Sequence, residues 1–150
     1  MAPSSHTESS ASQGKIEILL FSLGGAEVFG INVFKIREVT ELMPITQMPG
    51  RKGAMMGVMS LRGHVLPVID LAQSIGMHTG EAPTKLIIAE FASRSVAFAV
   101  HKVDKIVRVE WSCVKPPQIS ADALQSFIFG IVMLEGERLV SLLDVESVCQ

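Results

Sequence analysis

The side chain in this sequence best suited to a binding contact is Arg62. It lies with Gly63 and His64 between two apolar runs, at 58–61 and 65–69. A strand, a tight turn and a returning strand fit this stretch, because Gly63 can adopt a positive φ at no steric cost. Such a turn holds the Arg62 guanidinium away from the apolar hairpin, in a position that a partner can reach. The plainer interpretation is that Arg62 is a solvated turn residue.

Residues that could catalyse a reaction or bind a metal do not occur in recognisable combinations. Ser60 lacks the Gly-x-Ser-x-Gly context of a nucleophile, and residues 50–53 lack the spacing of a phosphate-binding lysine loop. Cys113 has no base held beside it by the sequence and is interpreted as a buried or half-buried structural residue. The histidines show no ligand spacing, so no metal or cofactor is expected: His6, His64, His78 and His101. We therefore predict that the protein is not an enzyme.

The composition is that of a small, apolar-rich chain. Its 150 residues are 48% hydrophobic, the mean hydropathy is +0.40 and the net charge is −2. The length suits one domain or two small lobes with a shared core. No apolar run approaches the roughly 20 residues of a membrane helix, and the basic residues do not cluster as in nucleic-acid-binding proteins. Two distant cysteines without a signal peptide indicate free thiols in the cytoplasm.

The rest of the chain is interpreted mainly as short strands. Residues 1–14 are Ser-rich without apolar periodicity, so a disordered tail is expected there. Pro67 lacks an N–H, which places the second hairpin strand at an edge or at a bulge. Asp70 and Asp144 are predicted to cap short helical turns. The predicted strands cover residues 16–23, 26–33, 34–40, 58–61, 65–69, 86–91, 96–100, 105–111, 127–134 and 138–143.

Parts of the first half of the sequence reappear in the second half. The aligned segments are 29–39 with 96–106, 57–63 with 130–136, and Asp70 with Asp144 after a shift of one residue. This duplication predicts two units of about five strands each. Short antiparallel strands of this kind close into small barrels. Since the linking segment is short, the two units should pack together, leave a groove between them and bind other proteins there.

Several of these motifs resemble a known family. The segments Phe29-Gly-Ile-Asn-Val-Phe-Lys-Ile-Arg-Glu-Val39, Gly57-Val-Met-Ser-Leu-Arg-Gly63 and Leu66-Pro-Val-Ile-Asp-Leu71 are similar to the CheW-like coupling domains of bacterial chemotaxis. The resemblance covers residues 16–148. The residues of these motifs are more similar to the N-terminal coupling domain of CheV than to CheW itself. The resemblance implies an all-β fold with short helices, built as two intertwined five-stranded SH3-like barrels in residues 15–150.

The resemblance also implies a function and its residues. Members of this family are scaffolds that couple the cytoplasmic tip of methyl-accepting chemoreceptors to the regulatory domain of the histidine kinase CheA, at receptor arrays beneath the inner membrane. Other CheW-like domains are a further candidate partner; nucleic acid and direct membrane insertion are not expected. The receptor-binding positions fall on Ile36, Glu38 and Arg62. The kinase-binding positions fall on Met43, Thr46, Lys115 and Ile119. Structural turns are predicted at Gly30, Gly57, Gly63 and Gly136.

Two departures from the family pattern keep alternatives open. Ser60 stands where the family usually has Asn, and no phosphorylatable receiver domain follows Asp144. The chain is then either a stand-alone coupling protein of CheV-like ancestry or one domain of a longer product. An adaptor of a non-flagellar array, controlling surface motility or second-messenger synthesis, is an alternative function. A barrel that binds a small ligand in the groove is another.

Overall fold

The computed structural model of the protein describes residues 14–50, 53–117 and 127–149. Within those ranges the chain forms ten strands, two short α-helices and two 3₁₀ turns. The strands are β1 (Lys15–Ser22), β2 (Val28–Asn32), β3 (Ile36–Glu41), β4 (Met55–Leu61), β5 (His64–Asp70), β6 (Lys85–Phe91), β7 (Arg94–Val100), β8 (Lys102–Glu110), β9 (Ile128–Leu134) and β10 (Arg138–Leu143). The helices are α1 (Leu71–Ser74) and α2 (Val145–Val148), and the 3₁₀ turns are Val33–Lys35 and Trp111–Cys113. The tail predicted at 1–14 lies outside the described residues, apart from Gly14.

The strands form two five-stranded sheets, as predicted. Sheet A has the order β8-β1-β2-β10-β9, and sheet B has the order β3-β6-β7-β5-β4. Each sheet therefore combines two strands from one half of the sequence with three from the other half. This intertwined arrangement agrees with the fold implied by the family resemblance.

The register of the strands confirms the duplication. The first repeat is β1 to β5 and the second is β6 to β10. β2 pairs in parallel with β10, where Gly30 lies opposite Leu142, and β7 pairs in parallel with β5, where Ala97 lies opposite Val68. The shift of one residue in the alignment of Asp70 with Asp144 comes from Glu137. This residue has φ 60° and lengthens the β9–β10 turn, whereas only Arg62 and Gly63 separate β4 from β5.

The chain passes between the sheets once in each repeat. After β2 it crosses at the 3₁₀ turn Val33–Lys35 to begin β3, and after β7 it crosses at His101 to begin β8. Phe34 projects from the first crossover and is 91% exposed. The neighbouring Lys35 pairs with Glu146 of α2. The boundary that the sequence predicted between the strands 26–33 and 34–40 is therefore the point at which the chain changes sheets.

Three apolar clusters hold the sheets together. One lies inside sheet A and contains Ile18 and Leu142, and another lies inside sheet B and contains Leu86 and Ile88. The largest cluster joins the two sheets and the helices, and it contains Phe21, Phe29, Leu71, Ile87, Phe98 and Val145. Alternate residues of β6 thus face the sheet-B core and the shared core, which is why this strand is continuously apolar.

Both predicted helix caps are confirmed. The Asp70 carboxylate accepts a hydrogen bond from the Gln73 amide at 3.2 Å, at the start of α1. The Asp144 carboxylate accepts one from the Glu146 amide at 3.1 Å and another from the Ser147 hydroxyl at 3.0 Å. These bonds satisfy groups that the first turn of a helix leaves unpaired.

Two of the four predicted structural turns are wrong. Gly63 and Gly136 lie in turns with φ of 84° and 80°, as expected. Gly30 lies in the middle of β2, where a Cβ atom would meet the Ile18 side chain. Gly57 lies within β4, where a Cβ atom would meet the Thr46 carbonyl oxygen. These two glycines are required by close approach of neighbouring atoms and not by chain reversal.

Other expectations about single residues had mixed outcomes. Cys113 was predicted to be at least half buried, but it is exposed because it lies in the 3₁₀ turn after β8. Cys149 is half buried, and both thiols are free. Pro67 pairs only with Val58 of β4, since the parallel contact between β5 and β7 begins at the following residue. β5 is an inner strand between β4 and β7, so only its first half, residues 64–67, has the free edge that the prediction gave to the strand. Among the described residues no helix has the length and apolarity to cross a membrane.

Candidate functional site

Arg62 and Glu38 form an ion pair across the open side of sheet B. Arg62 is the first residue of the β4–β5 turn, with φ 50°, and Glu38 lies on β3 at the opposite edge of the sheet. The guanidinium donates from Nη2 to Oε1 of Glu38 at 2.9 Å and from Nη1 to Oε2. Arg62 is thus a solvent-exposed turn residue, as in the plainer interpretation, and it also forms an ion pair.

Each member of the pair stabilises the charge of the other. The hydrogen bond from Arg62 lowers the pKa of the Glu38 carboxyl below its ordinary value, against an opposing effect of desolvation. The charges of Arg62 and Arg37 lower this pKa further. The same hydrogen bond raises the pKa of Arg62. The Arg62 side chain is still 62% exposed and that of Glu38 is 24% exposed. Both charges are therefore accessible to a partner.

A cleft of about 350 Å³ opens beside the pair. Its apolar lining includes Leu66 and Ile88, and Val65 at its margin is 69% exposed. Arg37 and Glu90 line the same cleft, with 3.9 Å between Nη1 and Oε2. An apolar floor with charged margins suits a protein segment that presents apolar and charged side chains together.

Ile36 lies next to this site but has a different environment. It pairs with Ala89 at the start of β3, is half buried and packs against the core shared by the two sheets. A register shift separates it from Glu38. Of the three predicted receptor-binding residues, the structure brings Glu38 and Arg62 into contact, and Ile36 lies two residues before Glu38 on β3.

The predicted kinase-binding residues divide between the two sheets. Thr46 and Val58 exchange backbone hydrogen bonds of 2.8 and 2.9 Å at β4, and Met43 packs against the sheet-B core. Lys115 exchanges two backbone hydrogen bonds of 2.8 Å with Ile131 of β9 in sheet A. Thr46 and Lys115 thus occupy corresponding places in the two repeats. Ile119 lies outside the described residues.

Sequence reasoning did not single out Arg37 or Glu90 as residues of the cleft. One signal in the sequence could have indicated the cleft. Glu90 is a lone carboxylate within the apolar run of β6, and its side chain is exposed. No group of His, Cys, Asp and Glu that could hold a metal ion occurs within residues 14–50, 53–117 and 127–149.

A comparison with family models decides the identity of this architecture. The model described as the CheW-like domain matches residues 17–150. The chain belongs to the CheW-like domain family. This result confirms the resemblance to CheW-like coupling domains that the dispersed motifs indicated.

Individual relatives include both CheW and CheV proteins. This CheW-like chain is 34% identical to the probable chemotaxis protein CheW of Rhizobium etli, over 95% of its own length and 93% of that protein. It is 30% identical to the chemotaxis protein CheV3 of Helicobacter pylori over 89% of its length, but it covers only 47% of CheV3. The scaffolding protein TtCheW from Thermoanaerobacter tengcongensis has the same fold, with a TM-score of 0.82 at 23% identity over 91% of this chain and 89% of TtCheW.

These relatives decide between the functions that the sequence left open. The CheW-like chain is a chemotaxis coupling adaptor, and its named relatives belong to chemotaxis. The alternatives, a non-flagellar adaptor or a small-ligand barrel, are not favoured by them.

Proposed function

We propose that the protein couples the cytoplasmic tip of methyl-accepting chemoreceptors to the regulatory domain of the histidine kinase CheA. The observation that carries this proposal is the exposed Arg62–Glu38 pair beside an apolar-floored cleft, in a chain of the CheW-like family. The protein works without a cofactor and without catalysing a reaction. Its place is in the cytoplasm, at receptor arrays beneath the inner membrane.

The receptor site comprises Ile36, Glu38 and Arg62. The receptor tip is a helical hairpin, which presents an apolar stripe together with charged side chains. The stripe lies over the cleft and Ile36, while the charges meet the exposed faces of the Arg62 and Glu38 side chains. The mutual hydrogen bonds of the pair hold both groups in fixed orientations before the receptor arrives, which reduces the entropy lost on binding.

The kinase surface comprises Met43, Thr46, Lys115 and Ile119. Thr46 and Lys115 lie in the segments that precede β4 and β9, and backbone hydrogen bonds hold each of these segments to its strand. The receptor residue Arg62 lies in the turn that follows β4. Thr46 pairs with Val58 in the middle of β4, four residues before Arg62 at the end of the same strand.

Two titrations test this proposal. The protein is titrated separately with a receptor hairpin fragment and with the CheA regulatory domain, and then with both together. We expect a ternary complex, and we expect Arg62→Glu to weaken receptor binding by about 5- to 150-fold, equivalent to about 1–3 kcal/mol. Lys15→Glu, an exposed site with the same change of charge, is the matched control.

The outcomes separate the two parts of the proposal. Unchanged receptor binding by a folded Arg62→Glu protein would remove Arg62 from the site. Binding of the kinase domain alone would contradict a coupling role. Binding of neither partner would contradict the proposed function as a whole.

A further inference from the structure

A β-bulge brings two consecutive charged residues of β3 to the receptor site. The register of β3 against β6 shifts between Ile36 and Glu38, so Arg37, the residue between them, has no partner in the ladder. In a regular strand the side chains of Arg37 and Glu38 would point to opposite faces, whereas a bulge changes the direction of a side chain. Arg37 therefore lines the cleft beside the Arg62–Glu38 pair.

Glu90 reaches the same cleft from the neighbouring strand. Leu86 and Ile88 of β6 belong to the sheet-B core, and Glu90 is the next residue on that face of the strand. It lies directly opposite Ser95 of β7, close to the two-residue turn that joins these strands. A carboxylate thus ends a row of core side chains at the open margin of the sheet.

Arg37 and Glu90 lie near each other but do not form a hydrogen bond. Their nearest charged atoms are 3.9 Å apart, beyond hydrogen-bond range, and their side chains are 50% and 55% exposed. Within the described residues, no hydrogen bond and no other ion pair engages either side chain. Arg62 and Glu38, by contrast, form two hydrogen bonds with each other. The Arg37–Glu90 pair therefore keeps more of its hydrogen-bonding capacity for a partner.

The second repeat shows that the fold itself does not need this pair. The same register shift recurs where β1 pairs with β8, so the bulge is present in both repeats. There Asp104 and Ser22 occupy the positions of Arg37 and Glu90. Asp104 and Ser22 cannot form an ion pair, yet sheet A has the equivalent strand order. The two charges in sheet B therefore serve its surface and not its folding.

We propose that Arg37 and Glu90 determine which receptor tip the protein accepts. This inference rests on the proposed receptor function and deepens it. A tip that is apolar opposite these residues would bury their charges without partners, which costs far more than an exposed ion pair contributes. A tip that presents a carboxylate to Arg37 and a cationic group to Glu90 avoids this cost.

The separation of the two charges defines the tip that fits. Because Nη1 of Arg37 and Oε2 of Glu90 are 3.9 Å apart, the complementary groups must also be close neighbours. Two oppositely charged residues three or four positions apart on a helix meet this requirement, since their Cβ atoms are about 5–6 Å apart. The accepted tip thus carries such a pair on the helix that covers the cleft. A tip without the pair, or with its charges exchanged, binds more weakly.

Charge exchange within the protein tests this inference against a purely structural role. A receptor hairpin fragment is titrated against the original protein, Arg37→Glu, Glu90→Arg and the variant with both changes. The double variant keeps the net charge and can form the pair with reversed polarity. We expect each single variant to bind at least about fivefold more weakly and the double variant to bind no better. Glu17→Arg combined with Arg108→Glu exchanges an exposed pair of sheet A and is the matched control.

A reciprocal exchange in the receptor completes the test. In a set of hairpin fragments, each oppositely charged pair three or four residues apart is exchanged in turn. We expect one of these fragments to bind the double variant more tightly than it binds the original protein. Such a reversed preference requires direct recognition of the two charges, because a loss of structure would weaken the binding of every fragment.

The outcomes separate recognition from structure. The inference is overturned if either single variant binds as the original protein does, if the double variant regains the original affinity, or if no exchanged fragment prefers the double variant. A variant without the dispersed NMR spectrum of a folded protein would give the pair a structural role and would also overturn it. Failure of the original protein to bind any receptor fragment contradicts the proposed function itself, and this inference falls with it.

Discussion

Arg62, at the tip of one hairpin, reaches Glu38 on the other edge strand of the same sheet and donates to both of its carboxylate oxygens. The pair thus spans the open side of sheet B. Because both side chains keep contact with solvent, we assign it to partner recognition more than to folding.

Replacing Arg62 should have little effect on stability. An exposed ion pair contributes about 0–1 kcal/mol, since the charges lose much of their attraction to solvent screening and the side chains lose entropy. We expect Arg62→Ala to leave the midpoint of urea unfolding almost unchanged. Arg108→Ala, which removes the exposed pair with Glu17, is the matched control. A much larger loss for Arg62→Ala alone would give this residue a structural role.

The Glu38 carboxyl should titrate below its ordinary range. Its pKa is lowered in the folded protein, so the stabilising effect of the pair is present above the unfolded-state pKa and is lost as the pH falls through the folded-state pKa. We expect NMR titration of the Glu38 side chain to show this lowered value. In Arg62→Ala the pKa should rise, because the hydrogen bond that lowers it is gone. An identical titration curve in the two proteins would contradict the assignment.

Gly30 should not tolerate even one added methyl group. A Cβ atom there would meet Ile18 and would approach Leu142 to 3.0 Å within the sheet-A core. We expect Gly30→Ala to cost about 1–3 kcal/mol of stability by overpacking. Gly136→Asn is the contrasting variant, because Asn adopts positive φ and nothing lies within 4 Å of the added atom. Equal losses in the two variants, measured by thermal or urea unfolding, would contradict the packing explanation.

The two thiols should react at different rates. Cys113 is exposed, whereas burial raises the pKa of Cys149, partly offset by the charge of Arg94. Because the thiolate is the reactive form, we expect iodoacetamide to modify Cys113 severalfold faster near neutral pH. Mass spectrometry of the modified peptides measures both rates, and Cys113→Ser isolates the slower one. Faster modification of Cys149 would be inconsistent with its burial.

The two halves of the chain should fold only together. Residues 1–80 contain β1 to β5 and residues 81–150 contain β6 to β10, but each sheet needs strands from both. We expect each fragment alone to lack the dispersed NMR spectrum of a folded β protein. Mixing them should restore it, since the native sheets can then form. A folded spectrum from either fragment alone would show that the repeats are independent.

The strands and the duplication could be predicted because they follow from local patterns. Alternating apolar residues indicate the strands, and the similar segments in the two halves of the sequence indicate the two units. Which strands share a sheet could not be read in this way, because the parallel pairing of β2 with β10 joins residues more than a hundred positions apart. The family resemblance supplied the intertwined arrangement that the pattern lacked.

For the candidate site, the sequence pattern marked Arg62 and the family resemblance added Glu38. The ion pair between these two side chains is a finding of the structure that neither predicted. Glycine raised a further ambiguity, since Gly30 and Gly63 look alike in a sequence although one permits close packing and the other a positive φ. Cys113 was misplaced because a 3₁₀ turn interrupts the chain just after β8.

The crossovers at Val33–Lys35 and His101 have a consequence for inheritance. A stop codon between the end of β5 and the end of β6 removes strands from both sheets, and one placed after β7 still leaves sheet A incomplete. Neither unit of the ancestral duplication can therefore be discarded by shortening the gene. The two copies are free to diverge in surface charge and in turn length, but they must be inherited and kept together.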